Sequence, residues 1–186
     1  MKLPTMDACY LGDISIAAGV TINWIEKAIS RKLFTPSNRT VAGRSRIYDV
    51  SDAIRIATMS FLVQRYQLPL EVAALVSEHM RRDWELLAGN TQLQRRGAPT
   101  LLMLSPCEAG WQIDFFIGEL DERGAITIGY SQLTENRWAL GAIIVSLTEI
   151  AMATAQRLQD HIDREELIAR QLRAAGEESG YDDVEE

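Results

Sequence analysis

Residues 11–48 decide the fold, and their sequence is LGDISIAAGVTINWIEKAISRKLFTPSNRTVAGRSRIY. An apolar stripe at helical spacing predicts a short helix that ends at Gly19, since a residue without Cβ allows a tight turn. Thr21 follows where a helix N-cap is needed, because its hydroxyl can accept a hydrogen bond from a free backbone N–H of the next helix. The stretch therefore predicts two short helices joined by a turn.

The second predicted helix has two different faces. Its apolar residues fall at helical spacing and form one stripe, which consists of Ile22, Ile25, Ile29 and Leu33. Its outward face is polar and basic, and it consists of Asn23, Trp24, Glu26, Lys27, Ser30 and Arg31. Pro36 disfavours a helix past Thr35. Such a helix suits insertion into the major groove of DNA.

A basic segment follows the second helix. Arg39, Arg44 and Arg46 lie close together around Gly43, and this chemistry suits a β-hairpin wing that binds phosphates. The alternative is that they are ordinary solvated charges. Their clustering beside a turn favours phosphate contact.

The order of these features resembles the head of the MerR-type winged helix-turn-helix family. The resemblance covers roughly residues 11–80 and rests on a helix, Ala-Gly-Val-Thr, a second helix, Leu-Phe-x-Pro, Gly-Arg-x-Arg-x-Tyr and Asp-Ala-Ile. The chain differs from the family where Trp24, Glu26 and Lys27 replace Thr-x-Arg-Tyr, and where Lys32 replaces the glycine that ends the second helix. The resemblance implies a DNA-binding domain, which we assign to residues 1–88.

The candidate DNA-contacting residues lie on the second predicted helix, at its two ends and in the predicted wing. Asn23 and Lys27 are the candidates for base edges, because Asn suits adenine and Lys suits guanine. Trp24 either stacks on sugar-phosphate, supports the wing against Tyr48 or packs within the head. For Glu26, which DNA would repel, we expect a salt bridge to Lys27 or Arg31. The full set is Thr21, Asn23, Trp24, Lys27, Arg31, Lys32, Arg39, Arg44, Arg46 and Tyr48.

Two further helices are predicted before a change in the pattern. The third has Ser51 or Asp52 as its cap, an inward stripe of Ala53, Ile54, Ala57 and Phe61, and a second apolar side of Ile56, Met59 and Val63. Such a helix is expected to be sandwiched between neighbours. The fourth begins near Pro69 and runs to about Leu87. The polar segment 88–99 then predicts a domain boundary.

The C-terminal part, residues 99–175, is predicted to be a small α+β domain for dimerisation or sensing. Thr100–Leu104, the alternating run 111–117 and the run 126–130 predict a three-stranded antiparallel meander. A long helix from about Asn136 to Ala174 is expected to cover the sheet, and residues 176–186 are expected to be an acidic disordered tail. The fold class predicted is therefore α+β.

Composition separates the two parts. Residues 1–96 hold 13 Lys and Arg against 9 Asp and Glu, whereas residues 97–186 hold 6 against 17, within a net charge of −7. This asymmetry suggests a head that approaches phosphate and a body that repels it. No apolar run reaches the ~20 residues of a membrane span. Cys9 and Cys107 are isolated, which favours a reducing cytoplasm.

Nothing in the sequence indicates catalysis, a cofactor or a metal. His161 and Glu165 are spaced as a ligand pair, but a third ligand is missing. Aromatic residues could line a small-molecule effector pocket, although such residues at strand spacing are more often core. These residues are Trp111, Phe115, Phe116, Tyr130 and Trp138. An effector is therefore unsupported, and we predict a protein that is not an enzyme.

The function predicted is a sequence-specific transcriptional regulator that binds double-stranded DNA as a homodimer. The dimer is expected through the long helix, where Val145, Leu147, Ile150 and Leu158 need a cover. Two alternatives remain at this stage. One is a phage or mobile-element DNA-binding protein that resembles a terminase small subunit or an excisionase. The other is a protein-interaction module that does not bind nucleic acid, which Glu26 and the pI near 5.0 allow.

Overall fold

The computed structural model describes residues 9–38, 46–83, 99–107, 110–120, 126–127 and 142–178. These residues form an α+β fold, which confirms the predicted fold class at this level. The helices are α1 (Leu11–Ala18), α2 (Ile22–Ser30), α3 (Val50–Tyr66), α4 (Leu70–Arg82) and α5 (Leu147–Glu178). The strands are β1 (Thr100–Cys107), β2 (Gly110–Ile117), β3 (Glu119–Leu120), β4 (Ile126–Thr127) and β5 (Ile143–Ser146).

The turn between α1 and α2 forms as predicted. Gly19 is the C-cap of α1 with φ 67°, a left-handed conformation that a residue without Cβ adopts at little cost. Thr21 is the N-cap of α2, and its hydroxyl accepts a hydrogen bond from the Trp24 N–H at 3.3 Å. The two helices and their junction are therefore fixed by the residues that predicted them.

Helix α3 is the central element of the head. Every residue from Val50 to Ser60 is buried, which confirms that this helix is enclosed by its neighbours. Its predicted cap was wrong, because Asp49 is the N-cap and accepts from the Asp52 N–H at 2.9 Å. The prediction for Phe61 was also wrong in part, since this ring is 37% exposed. Helix α4 ends at Arg82 rather than near Leu87.

The sheet is antiparallel, with the order β2-β1-β5. Strand β1 lies in the centre, where Thr100 pairs with Ile117 on one side and Leu104 pairs with Ile143 on the other. Strands β3 and β4 form a separate two-stranded pair, with Leu120 opposite Ile126. The turn predicted at residues 121–124 between the second and third strands lies outside the described residues, as do residues 128–130 and residues 88–98 of the predicted domain boundary.

The third strand of the sheet was assigned wrongly. It is β5, whose residues had been included in the long helix predicted from Asn136; that helix begins only at Leu147. The β-branched run Ile143-Ile144-Val145 favours a strand, and the Ser146 hydroxyl accepts a hydrogen bond from the Glu149 N–H at 3.3 Å where the helix starts. At the other end, helix α5 continues to Glu178, so residues 176–178 are not part of a disordered tail.

Helix α5 packs against the head as well as against the sheet. It contacts α1, α3 and β1, and the Thr100 N–H donates to the Thr148 hydroxyl at 2.8 Å. One continuous hydrophobic core joins residues of the head with Leu102, Val145 and Leu158. The first half of α5 is therefore covered within a single chain.

This packing overturns the reason given for a dimer. Val145, Leu147 and Leu158 are 3%, 4% and 0% exposed, and Ile150 packs against the same core. The head and the sheet already provide the cover for which a second copy had been invoked. In the part of the chain that the structure describes, no helix is both long enough and apolar enough to cross a lipid bilayer.

Candidate nucleic-acid interface

The exposed face of α2 is held in place by its buried face. Ile25 and Ala28 are 0% and 1% exposed, so they anchor the helix in the core. Ile22 had been placed in the buried stripe, but it is 45% exposed in the first turn of the helix. On the opposite side, Asn23 and Lys27 are exposed and lie one helical turn apart.

The basic character continues past the end of α2. Arg31 is the C-cap and is exposed, and exposed Lys32 follows with φ 60°. A left-handed φ suits glycine, and a residue with a Cβ bears about 1–2 kcal/mol of strain there. The chain therefore keeps a lysine at a position where its backbone conformation would favour glycine.

Arg55, a residue that the sequence analysis did not single out, fixes the segment after α2. It lies on α3 with 1% exposure, and its guanidinium donates to the Thr35 carbonyl, the Ser77 carbonyl and Asp52, each at 3.0 Å. Its carbon Cζ lies 4.6 Å from the centroid of the Phe34 ring. One buried cation thus joins the loop after α2 to α3 and α4.

Asp52 completes this buried network. Its carboxylate accepts from the Ser37 N–H at 3.0 Å and from the Ser37 hydroxyl at 2.9 Å, in addition to Arg55. Burial raises the pKa of Asp52 and lowers that of Arg55, while their mutual attraction opposes both shifts. The network sets the path of the chain from the end of α2 to Ser37.

The signal for Arg55 was present in the sequence. It stands between Ile54 and Ile56, in a helix that is apolar on two sides. A cation in such a helix has no route to water and needs buried partners. Composition alone could not identify these partners, because two of them are backbone carbonyls.

The other candidate residues that the structure describes lie in different environments. Thr21 is exposed, although its hydroxyl is used as the cap of α2. Trp24 is half-buried and packs against the core, in agreement with the packing interpretation. Tyr48 is 2% exposed and is bridged to Cys9 by backbone hydrogen bonds, so its side chain belongs to the core and its assignment to the DNA-contacting set is corrected. Arg46 hydrogen-bonds to Tyr48.

The remaining wing residues, Arg39 and Arg44, lie outside the described residues. The salt bridge predicted for Glu26 is wrong, since this exposed carboxylate pairs with neither Lys27 nor Arg31. The candidate face of α2 therefore presents one carboxylate beside several cations.

The histidine and cysteine residues that were considered as metal ligands or nucleophiles have structural surroundings. His161 Nε2 lies 3.2 Å from Asp13 Oδ1, and the two side chains join α5 to α1. Among the described residues, no three His, Cys, Asp or Glu side chains come together as metal ligands. Burial raises the pKa of the Cys9 thiol to about 11, whereas Cys107 is exposed.

Three of the five aromatic residues considered for an effector pocket are among those that the structure describes. Trp111 and Phe115 pack against the core and Phe116 is half-buried, while Tyr130 and Trp138 lie outside the described residues. None of the first three lines the cleft beside Ala57 and Ala153, the cleft beside Arg55 or the cleft beside Trp24.

No protein-family model matches the chain, and no curated protein matches it.

Proposed function

We propose that the chain is a DNA-binding regulator that presents α2 to the major groove. The supporting observation is the pair of helices α1 and α2, joined at Gly19 and capped at Thr21, with a rigidly anchored second helix whose outer face is polar and basic. Two short helices around such a turn, with polar residues on the outer face of the second, suit this kind of recognition. The resemblance to MerR-type heads points in the same direction.

The exposed side chains of α2 divide between two tasks. Asn23 and Lys27 reach base edges, since Asn pairs well with adenine and Lys with guanine. Arg31 and Lys32 lie at the end of the helix and contact phosphate oxygens, which supply affinity without sequence choice. The half-buried Trp24 holds the helix to the core and positions both groups.

A homodimer forms part of this proposal, but it uses the far half of α5. Leu167, Ile168 and Leu172 are 56%, 42% and 68% exposed, beyond the part of the helix that packs on the head. Two copies of this patch would cover each other, and two-fold pairing matches a palindromic DNA site.

The DNA proposal is tested by fluorescence anisotropy with fragments selected from genomic DNA by the purified protein. We expect binding that weakens steeply as salt rises, because bound cations release counterions from DNA. A selected sequence should bind more tightly than an unrelated duplex at the same salt concentration. Absence of binding even at low salt would contradict DNA recognition and favour a protein-interaction module.

The dimer is tested by light scattering. We expect twice the chain mass of 20.8 kDa, and a monomer for Leu172→Glu, because a carboxylate in an apolar contact is costly. Leu75→Glu is the matched control, since Leu75 is 52% exposed on α4, away from the patch. A monomeric wild-type protein, on and off DNA, would contradict this part of the proposal.

A further inference from the structure

A cleft of about 680 Å³ lies where the end of α3 meets the beginning of α5. Helix α5 lines it over two turns, with Glu149 at one end and Arg157 at the other. The volume is within the range of small-molecule sites, about 300–1,000 Å³. None of the cleft belongs to the candidate DNA-contacting face of α2.

Small side chains create the space. Ala57 and Ser60 line the cleft from α3, and Ala153 lines it from α5. Larger residues at these positions would fill the gap between the two helices. The Ser60 hydroxyl accepts a hydrogen bond from Gln64 Nε2 at 2.9 Å, so the polar group of this wall is already held in place.

The cleft also exposes large apolar side chains. Phe61, Tyr66 and Ile144 line it, and they are 37%, 38% and 40% exposed. The Phe61 and Tyr66 rings meet edge to face, with centroids 5.8 Å apart and an interplanar angle of 68°. An exposed aromatic pair in a concave site offers favourable contacts to a flat aromatic ring.

One end of the cleft is suited to an anion. Arg157 is exposed, and its guanidinium lies 3.5 Å from the Ala17 carbonyl, a long hydrogen bond that leaves other N–H donors for a ligand. The nearby carboxylates are engaged, since Asp13 contacts His161 and Asp160 accepts from Gln156. Glu149, the acidic residue of the lining, is eight residues away, about 12 Å along the helix.

We propose that this cleft binds a small planar aromatic carboxylate. The ring packs against Phe61 and Tyr66, and the carboxylate accepts two parallel N–H bonds from Arg157. The separation of Arg157 from Glu149 gives the cleft a direction, because the anionic group of the ligand is attracted to one end and repelled from the other. This site does not depend on DNA binding.

The test is calorimetric titration of the full chain with 2-naphthoate and with its cationic counterpart, 2-naphthylmethylammonium. We expect saturable one-site binding of the carboxylate and affinity for the cation lower by about tenfold or more, which corresponds to ~1.4 kcal/mol. Absence of saturable binding, or equal affinity for the two compounds, would overturn the proposal.

Three variants locate the site. Ala153→Leu fills the cleft from an exposed position and should abolish binding, while Arg157→Gln should remove the preference for the carboxylate. Met152→Leu places the same side chain at an exposed position on α5 outside the lining and should bind as the wild type does. Unchanged binding in Ala153→Leu would refute the location, and unchanged preference in Arg157→Gln would refute the ligand class.

Discussion

Helix α2 and the first half of helix α3 both carry basic residues, yet these lie in opposite environments. On α2, Lys27 and Arg31 are exposed. On α3, Arg55 is 1% exposed and donates to three oxygens at 3.0 Å. The same kind of charge is therefore open to solvent in one helix and holds the fold together in the other.

Burial determines how much each cation contributes to the free energy of unfolding. An exposed cation is solvated, and its removal changes stability little. A buried cation has lost its water, and removing it also leaves its partners without compensation. Substitutions on the two helices should thus separate binding from stability.

The largest effect is expected from Arg55→Met. This change leaves Asp52 buried without its cation and removes the donor to the Thr35 carbonyl, so the free energy of unfolding should fall by about 3–5 kcal/mol. Urea denaturation measures the loss. Arg65→Met on the same helix is the matched control, since Arg65 is exposed and its replacement should cost about 0.5 kcal/mol or less.

A double variant sharpens the interpretation of Arg55. Asp52→Asn combined with Arg55→Met removes both charges, so part of the lost stability should return relative to Arg55→Met alone. If the two single losses simply add, the buried ion pair is not the reason for the effect.

The next effect concerns α2 and should appear in binding alone. Lys27→Ala and Asn23→Ala should each weaken binding to the selected DNA by about 1–3 kcal/mol and relax the preference at one base pair. Anisotropy titrations and a repeated fragment selection measure these changes. Arg65→Ala controls for the loss of one positive charge outside α2.

The α2 variants should differ from Arg55→Met in their free energy of unfolding. Both α2 variants should unfold within about 0.5 kcal/mol of the wild type, because the side chains are exposed. An unchanged base preference would show that these residues do not read DNA, even if the protein still binds it.

The sequence predicted the turn between α1 and α2 correctly and strand β5 wrongly for a physical reason. Gly19 and Thr21 act through local backbone geometry, so each indicates its own role without knowledge of the rest of the fold. The strand β5 depends on pairing with β1, a partner some forty residues earlier in the chain, and a short apolar run is ambiguous between helix and strand. The pattern Ser146-x-x-Glu149 was the available sign that the helix starts later.

Local sequence patterns could not predict which distant elements pack against each other. The first half of α5 was predicted to need a second copy, because its apolar residues are visible in the sequence but their cover is not. The cover is α1, α3 and β1 of the same chain. Only the structure shows that Leu167, Ile168 and Leu172 are exposed, whereas the apolar residues in the first half of α5 are covered.

The smallest effect tests whether Lys32 is retained for its charge. Lys32 and Gln67 are the described non-glycine residues with positive φ, at 60° and 55°. Glycine at either position relieves about 1–2 kcal/mol of strain, and its greater freedom in the unfolded chain returns about 0.5–1 kcal/mol. Both Lys32→Gly and Gln67→Gly should therefore be as stable as the wild type or slightly more stable in urea denaturation.

Lys32→Gly and Gln67→Gly should differ in DNA binding. A purely structural role for Lys32 would not produce such a difference. Lys32→Gly removes a cation at the end of α2, so binding should weaken for all sequences and its salt dependence should become shallower. Gln67→Gly changes the same backbone feature at the end of α3 and should leave both quantities unchanged. Lys32→Ala removes the charge and keeps the strain, so it should match Lys32→Gly in binding but be less stable. Equal DNA binding by Lys32→Gly and Gln67→Gly would mean that the phosphate contacts lie elsewhere than at the end of α2.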